Sequence, residues 1–281
     1  MTPWMVLSKN GRRYHAYRRG EYMFPNDKRE QGRLALHSHI CNLALGGALY
    51  RAPIKPDIQQ ILDLGTGTGE WPRPWQRTDL SPIQPRWLPP NCRFEIDDFE
   101  LEWNYSHPFD YIHMRGIEGP VRDFHRLFKQ AHNNLNPGGW FEICDFTVGT
   151  FSDDDSAEKA TSLQQWRDIL VEASKKFGKQ FSVAQNYKQW MIDAGFKDAR
   201  EEVYKVPFSP WAKDPKLKDL GRFQQANVLE ALDAYSLALM TRFLRWTVEE
   251  VQVLLTSVRK ELLDRKLHIY SWLYVVFGRR E

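Results

Sequence analysis

The stretch Asp63-Leu64-Gly65-Thr66-Gly67-Thr68-Gly69 places three glycines at alternate positions behind a carboxylate. Glycines in such a loop let the backbone turn sharply and approach a ligand without Cβ collisions. A dinucleotide fingerprint needs G-x-G-x-x-G, and a Walker loop needs Gly-Lys-Ser/Thr; neither spacing is present. His113, Glu142, Asp145 and His268 sit at or near predicted strand ends, where a general base of near-neutral pKa can serve. His37-x-His39 offers no metal pair, because positions i and i+2 of a helix face apart and no third ligand is evident. Asp153-Asp154-Asp155 reads as a surface loop capping a helix that begins near Ala157. No metal site is expected.

The elements that must position these groups alternate along the chain. Asp27 with Glu30 three residues on predicts a capping box, opening a helix whose apolar stripe ends at Gly46-Gly47. Strands are predicted at Ile58–Leu64, Arg93–Ile96, Phe109–Met114 and Trp140–Phe146, with an amphipathic helix at Val121–Leu135. Asn136-Pro137-Gly138-Gly139 is expected to stop that helix. The second half is more helical: Ala157–Phe177, Asn186–Ala194 and, after the Thr247/Glu250 box, Val248–Arg265. Strands are expected at Glu202–Phe208 and Leu267–Phe277, separated by a Leu-, Ala- and aromatic-rich segment from Pro210 to Trp246. Strand–helix alternation implies a parallel sheet with helices on both faces, closed by a terminal antiparallel pair.

The bulk numbers narrow the function classes. Of 281 residues, 42% are apolar and 27% charged, and the formal charge of +3 is too small for a nucleic-acid footprint. Three widely spaced cysteines argue against a disulfide framework, and no apolar run is long enough for a membrane span. The expectation is a soluble, cytoplasmic protein, with the nucleus as the alternative compartment.

Blocks along nearly the whole chain resemble the fungal LaeA-like family of class I S-adenosylmethionine-dependent methyltransferases. They are Tyr14–Arg18, Gly20–Tyr22, Pro25–Asp27, Ile61–Gly69, Thr78–Pro85, Phe94–Asp98, Phe109–Arg115, Asn136–Trp140 and Ala194–Phe196. The resemblance implies an α/β Rossmann-like sheet, mostly parallel with an antiparallel last strand, an amino-terminal helical lid and a helical insertion before the last strand. It divides the chain into residues 1–57, a lid, and 58–281, a methyltransferase-like domain with its insertion at about 210–246.

The same resemblance implies S-adenosyl-L-methionine as cofactor. Asp63, Gly65, Gly67 and Gly69 would then serve its amino-acid half, Asp79 its ribose hydroxyls and Asp98 its adenine amino group. Phe99 would pack the ring, Arg115 would border the methyl-donor pocket, and Tyr14, Tyr17 and Arg18 would belong to the lid. His113, Glu142 and His268 are the candidate catalytic residues, and Trp211, Phe223, Tyr235 and Phe243 lie where such scaffolds place acceptor specificity.

One departure stands out. Only nine residues, Glu70–Thr78, join Gly69 to Asp79, and Pro72 and Pro74 are among them. The family carries roughly twenty there, and a parallel crossover ordinarily takes a dozen or more. The first crossover helix is therefore expected to be missing. Three readings stay open: a direct crossing that still brings Asp79 to the ribose, a scaffold that has lost its cofactor, or a sequence lacking a piece. The sheet face so exposed would need a cover, either the helix Asp27–Leu45 or a partner protein.

Three functions follow. The first is a methyltransferase of fungal secondary metabolism acting on a small aromatic or polyketide-like compound. The second is a non-methylating accessory protein that steers an intermediate or binds a partner enzyme, and the third is a regulator of secondary metabolism. No nucleic-acid or membrane partner is expected.

Overall fold

The computed structural model describes residues 7–15, 17–18, 20–69, 76–84, 92–117, 119, 121–179 and 181–281. In chain order the elements are β1 (Leu7–Lys9), β2 (Arg12–Tyr14), α1 (Lys28–Ala44), β3 (Ile61–Leu64), β4 (Gln76–Asp79), β5 (Arg93–Ile96) and β6 (Phe109–Arg115). There follow α2 (Phe124–Asn133), β7 (Leu135–Phe146), α3 (Thr161–Phe177), α4 (Tyr187–Asp193), β8 (Lys197–Pro207), α5 (Pro215–Phe243), α6 (Val248–Leu263) and β9 (Tyr270–Arg279). Seven strands form one sheet in the order β5-β4-β3-β6-β7-β9-β8, and β1 and β2 make a separate antiparallel pair. Strands β3 to β7 pair in parallel. The exchange of backbone bonds between Gly138, Gly139 and Arg280 runs β9 antiparallel to β7. This is the mixed, mostly parallel sheet that the strand–helix alternation implies.

The chain divides into two compact units. The first takes the described residues of Met1–Gly47 with Thr147–Ser182 and Tyr204–Leu273. Its core is helical: Leu163, Trp166, Leu170, Leu232, Leu239, Val251 and Leu255 are buried together. The carboxylate of Glu261 on α6 accepts the backbone N–H groups of Ser162 and Leu163, satisfying donors that the first turn of α3 leaves open. Helix α1 lies against α5, where Arg33 donates to Asn227 and Arg29 to Glu230.

The second unit is Ala48–Phe146, Val183–Val203 and Tyr274–Glu281. Leu62, Ile112, Phe141 and Ile143 bury one sheet face under α2 and α4, through Phe124, Phe128 and Tyr187. Asp123 caps α2 by accepting the Arg126 N–H at 2.9 Å. Among the described residues no helix is long and apolar enough to cross a membrane.

Several boundaries move from their sequence positions. The Asn136–Gly139 block belongs to β7 rather than to a stop, because Gly138 and Gly139 continue the pairing with Arg280 and a bulge opposite Phe109–Tyr111 absorbs the extra residues. Asp27 caps α1 as expected, but the Glu30 carboxylate turns to Arg33 at 2.7 Å. The Thr247–Glu250 box is reciprocal. Ser156–Lys159 is a single 3-10 turn, so α3 starts at Thr161 instead of near Ala157. Strand β4, polar in sequence, was not predicted at all; it forms because Arg77 and Thr78 are sandwiched between β3 and β5.

Between Leu64 and Gln76 no helix occurs among the described residues, and residues 70–75 lie outside them. The short link nonetheless delivers β4 parallel to β3 in the register Leu64↔Thr78.

Candidate functional site

Every expected cofactor residue falls in the second unit, at the carboxyl ends of β3, β4, β5 and β6. Open parallel sheets place ligands there, because the loops that leave the strands turn away and open a crevice. Gly65, Gly67 and Gly69 have φ of 66°, 59° and 76°, a conformation that side-chain-bearing residues rarely hold. A Cβ on Gly69 would lie 2.7 Å from the Phe94 ring, and one on Gly65 would lie 3.5 Å from the Phe99 ring. The Phe99 ring therefore rests against the glycine turn.

Asp79 ends β4 beside this turn. One carboxylate oxygen accepts the Gly67 N–H at 2.8 Å, and the other accepts the Ser81 N–H at 2.9 Å. Burial pushes its pKa up to about 6, against the opposing pull of these N–H donors. Asp98, after β5, is buried and accepts the Glu100 N–H at 3.0 Å in a tight turn. The Thr66 hydroxyl is buried and has no hydrogen-bond partner among the described residues.

Behind the turn, three polar side chains share one row of the sheet. Asp63 on β3 pairs in register with His113 on β6, and His113 pairs with Glu142 on β7. All three are buried, and Asp63 Oδ1 lies 2.8 Å from His113 Nδ1. Glu142 accepts the backbone N–H groups of Arg51 at 2.9 Å and Ala52 at 2.6 Å. Burial raises the Glu142 pKa, and the neighbouring His113 and these N–H donors oppose the rise. Arg115, at the end of β6, donates to the Leu49 carbonyl at 2.6 Å. The strap 49–52 is thus fastened over this row at both of its ends.

The remaining candidates divide as follows. Asp145 is buried on β7 and accepts the Tyr187 hydroxyl at 3.2 Å. His268 belongs to the first unit, where Nδ1 lies 2.6 Å from Asp154 and the ring packs at a tilt against Trp211, 5.1 Å between centroids. Its backbone N–H also reaches Ser156, so it ties down the acidic loop that the sequence marks as a cap. Tyr14 is packed in the core of that unit under the Arg242 guanidinium, with Tyr235 against Phe24 and Phe243 against Phe177. Phe223 packs on His39.

Sequence reasoning missed Gln84, Arg77 and the strap. Gln84 and Thr78 lie inside a block that was read only as part of the resemblance, and nothing local says that an amide there reaches back to a glycine turn. Arg77 donates to the Gly69 carbonyl at 2.9 Å with its guanidinium over the Phe94 ring.

The profile of a methyltransferase domain family matches residues 21–201. The chain is 39% identical to methyltransferase pytC of Aspergillus terreus over 95% of its own length and 86% of that protein. It is 33% identical to the secondary metabolism regulator LAE1 of Cochliobolus heterostrophus, over 97% and 94% of the two chains. With the protein-methionine methyltransferase laeA of Emericella nidulans the identity is 32%, over 97% and 76%. The glycine turn at the end of β3, the carboxylate ending β4 and the aligned length together identify the family: the chain belongs to the LaeA-like class I methyltransferases.

Proposed function

We propose that this chain binds S-adenosyl-L-methionine at the carboxyl ends of β3 to β6 and transfers its methyl group to a small aromatic or polyketide-like acceptor of fungal secondary metabolism. Membership of the family supports the reaction class. The observation that carries the cofactor is Asp79 beside the glycine turn. A carboxylate offers about four acceptor positions, and the N–H groups of Gly67, Ser81 and Leu80 leave a position for a ribose hydroxyl. The unpartnered Thr66 hydroxyl in the same turn adds a donor and acceptor without a protein partner among the described residues. The residues present fit the group.

In this reading Asp79 accepts the ribose hydroxyls and Asp98 the adenine amino group. Phe99 packs the ring, and Asp63 with the glycine loop receives the amino-acid half. Arg115 borders the pocket while holding the strap through Leu49. The bound cofactor supplies an electrophilic methyl on a sulfonium. The chain supplies alignment, which removes much of the entropic barrier without a dedicated base. His113 and Glu142 are spent on Asp63 and on the strap, and we assign them to holding the sheet end rather than to deprotonating the acceptor.

Calorimetric titration of the purified protein with S-adenosylhomocysteine tests this. Micromolar binding that disappears in Asp79→Ala is the expected result, and folded wild-type protein that binds nothing sinks the proposal. A second reading, a non-methylating accessory protein, draws on the loop's own bonding: Gly67 and Gly69 already use backbone groups on Asp79 and Arg77. The same titration decides between the two.

A further inference from the structure

The glycine turn is held from the β4 side by an amide, that of Gln84. Gln84 Nε2 donates both its N–H groups, one to the Gly67 carbonyl at 2.8 Å and one to the Ser81 carbonyl at 2.9 Å. Because both partners are carbonyl oxygens, the orientation of the amide is fixed by the contacts themselves. The two residues that Gln84 joins are the same two whose N–H groups hold Asp79: Gly67 on one oxygen and Ser81 on the other. Gly67, Asp79, Ser81 and Gln84 therefore form a closed ring in which each of the two residues that donate to the carboxylate is also fastened at its carbonyl, one peptide unit further on.

The ring has a physical reason in this chain. A crossover helix ordinarily stiffens such a turn from behind, by drawing the chain into its first hydrogen-bonded turn. Here no helix follows the turn among the described residues, and β4 begins at Gln76. The backbone bond from Thr66 N–H to the Thr78 carbonyl, at 3.1 Å, extends the β3–β4 pairing by one step, and past it the Gly69 N–H to Thr66 carbonyl bond, at 3.1 Å, and side chains hold the turn.

Building on the cofactor reading above, we propose that Gln84 is a positioning residue for the ribose: it fixes Gly67 and Ser81 so that Asp79 presents its carboxylate to the 2′- and 3′-hydroxyls. A leucine or methionine would leave the Gly67 carbonyl without this donor and the Ser81 carbonyl with only the Ile83 N–H at 2.9 Å. A glutamate would set a carboxylate against both carbonyl oxygens. Either change loosens the peptide that follows Gly67, and so removes a restraint on the residue whose own N–H holds Asp79.

The test is a ligand-by-variant cycle read by calorimetry, with S-adenosylhomocysteine and its 2′-deoxy analogue as probes. Gln84→Met and Gln84→Glu are compared with wild type, and thermal unfolding confirms that each is folded; two variants are made so that one folded protein suffices. Wild type should prefer the 2′-hydroxyl ligand. Loss of a net hydrogen bond's worth of positioning predicts that the variants bind S-adenosylhomocysteine about tenfold more weakly, with the deoxy analogue less affected and the preference collapsing toward one. A merely structural role would weaken both ligands equally. An unchanged preference ratio in a folded variant overturns the assignment of Gln84 while leaving the cofactor site intact. Wild type that binds neither ligand overturns the site and the assignment together.

Discussion

Asp63 and His113 face each other across β3 and β6, with Oδ1 and Nδ1 2.8 Å apart and both side chains buried. Fifty positions separate them in the chain. The parallel register that sets Asp63 opposite His113 also sets His113 opposite Glu142, so one row of the sheet carries carboxylate, imidazole and carboxylate. This row holds the root of the glycine turn on one side and the strap at Arg51 and Ala52 on the other.

His113→Leu should destabilise the fold by about 2–4 kcal/mol, because it strips a buried carboxylate of its imidazole partner. His113→Asn keeps a nitrogen donor near the Nδ1 position and should recover a large part of the loss. Urea unfolding of the two variants against wild type gives the comparison. Equal stability of His113→Leu and wild type would show that the pair contributes nothing.

Asp79 makes stability and affinity depend on pH with opposite signs. Burial raises its folded pKa to about 6 from an ordinary value of 3.8, so between those values the native state binds more protons than the unfolded chain. Its contribution therefore falls as pH rises through that window and is level above it. Asp79→Asn should flatten this part of the curve, seen as the difference between the two melting profiles. Ligand hydroxyls favour the ionised form, so S-adenosylhomocysteine should bind more weakly below about pH 6 and release a proton on binding near that pH. Titration in two buffers of different ionisation enthalpy reads the proton directly.

Gly221 on α5 approaches the chain at Ser209 so closely that an added Cβ would lie 2.3 Å from the Ser209 carbonyl oxygen. Backbone cannot move aside as a flexible side chain can. Gly221→Ala should cost about 1–3 kcal/mol despite the better helix propensity of alanine. Denaturant unfolding that shows a more stable variant would contradict the close approach.

Thr247→Ala removes the hydroxyl that accepts the Glu250 N–H at 3.1 Å, and leaves the return bond from Thr247 N–H to Glu250. A loss of about 0.5–2 kcal/mol is expected. Thr247→Ser should retain nearly all of the wild-type midpoint, and a serine variant as weak as alanine would assign the effect to the methyl group instead.

The sequence by itself determined what depends on neighbours a few residues apart. Caps at Asp27 and Thr247, the glycine turn after an apolar strand, the alternation of strand and helix, and the family blocks all lie within short windows. The length of the link after Gly69 can be counted in the sequence, while residues 70–75, on which the expectation of a missing crossover helix falls, lie outside the described residues. Tertiary structure decided which partners the polar groups have. That His113 is spent on Asp63, that Glu142 holds Arg51 and Ala52, and that His268 serves Asp154 follow from strand order and loop path, which no local pattern encodes. Polar β4 is the same case: its propensity is poor, and it exists because strands on both sides offer it hydrogen bonds. The glycine turn was readable from its spacing, but the groups that shape it, Asp79, Arg77 and Gln84, arrive from the next strand and the turn beyond it.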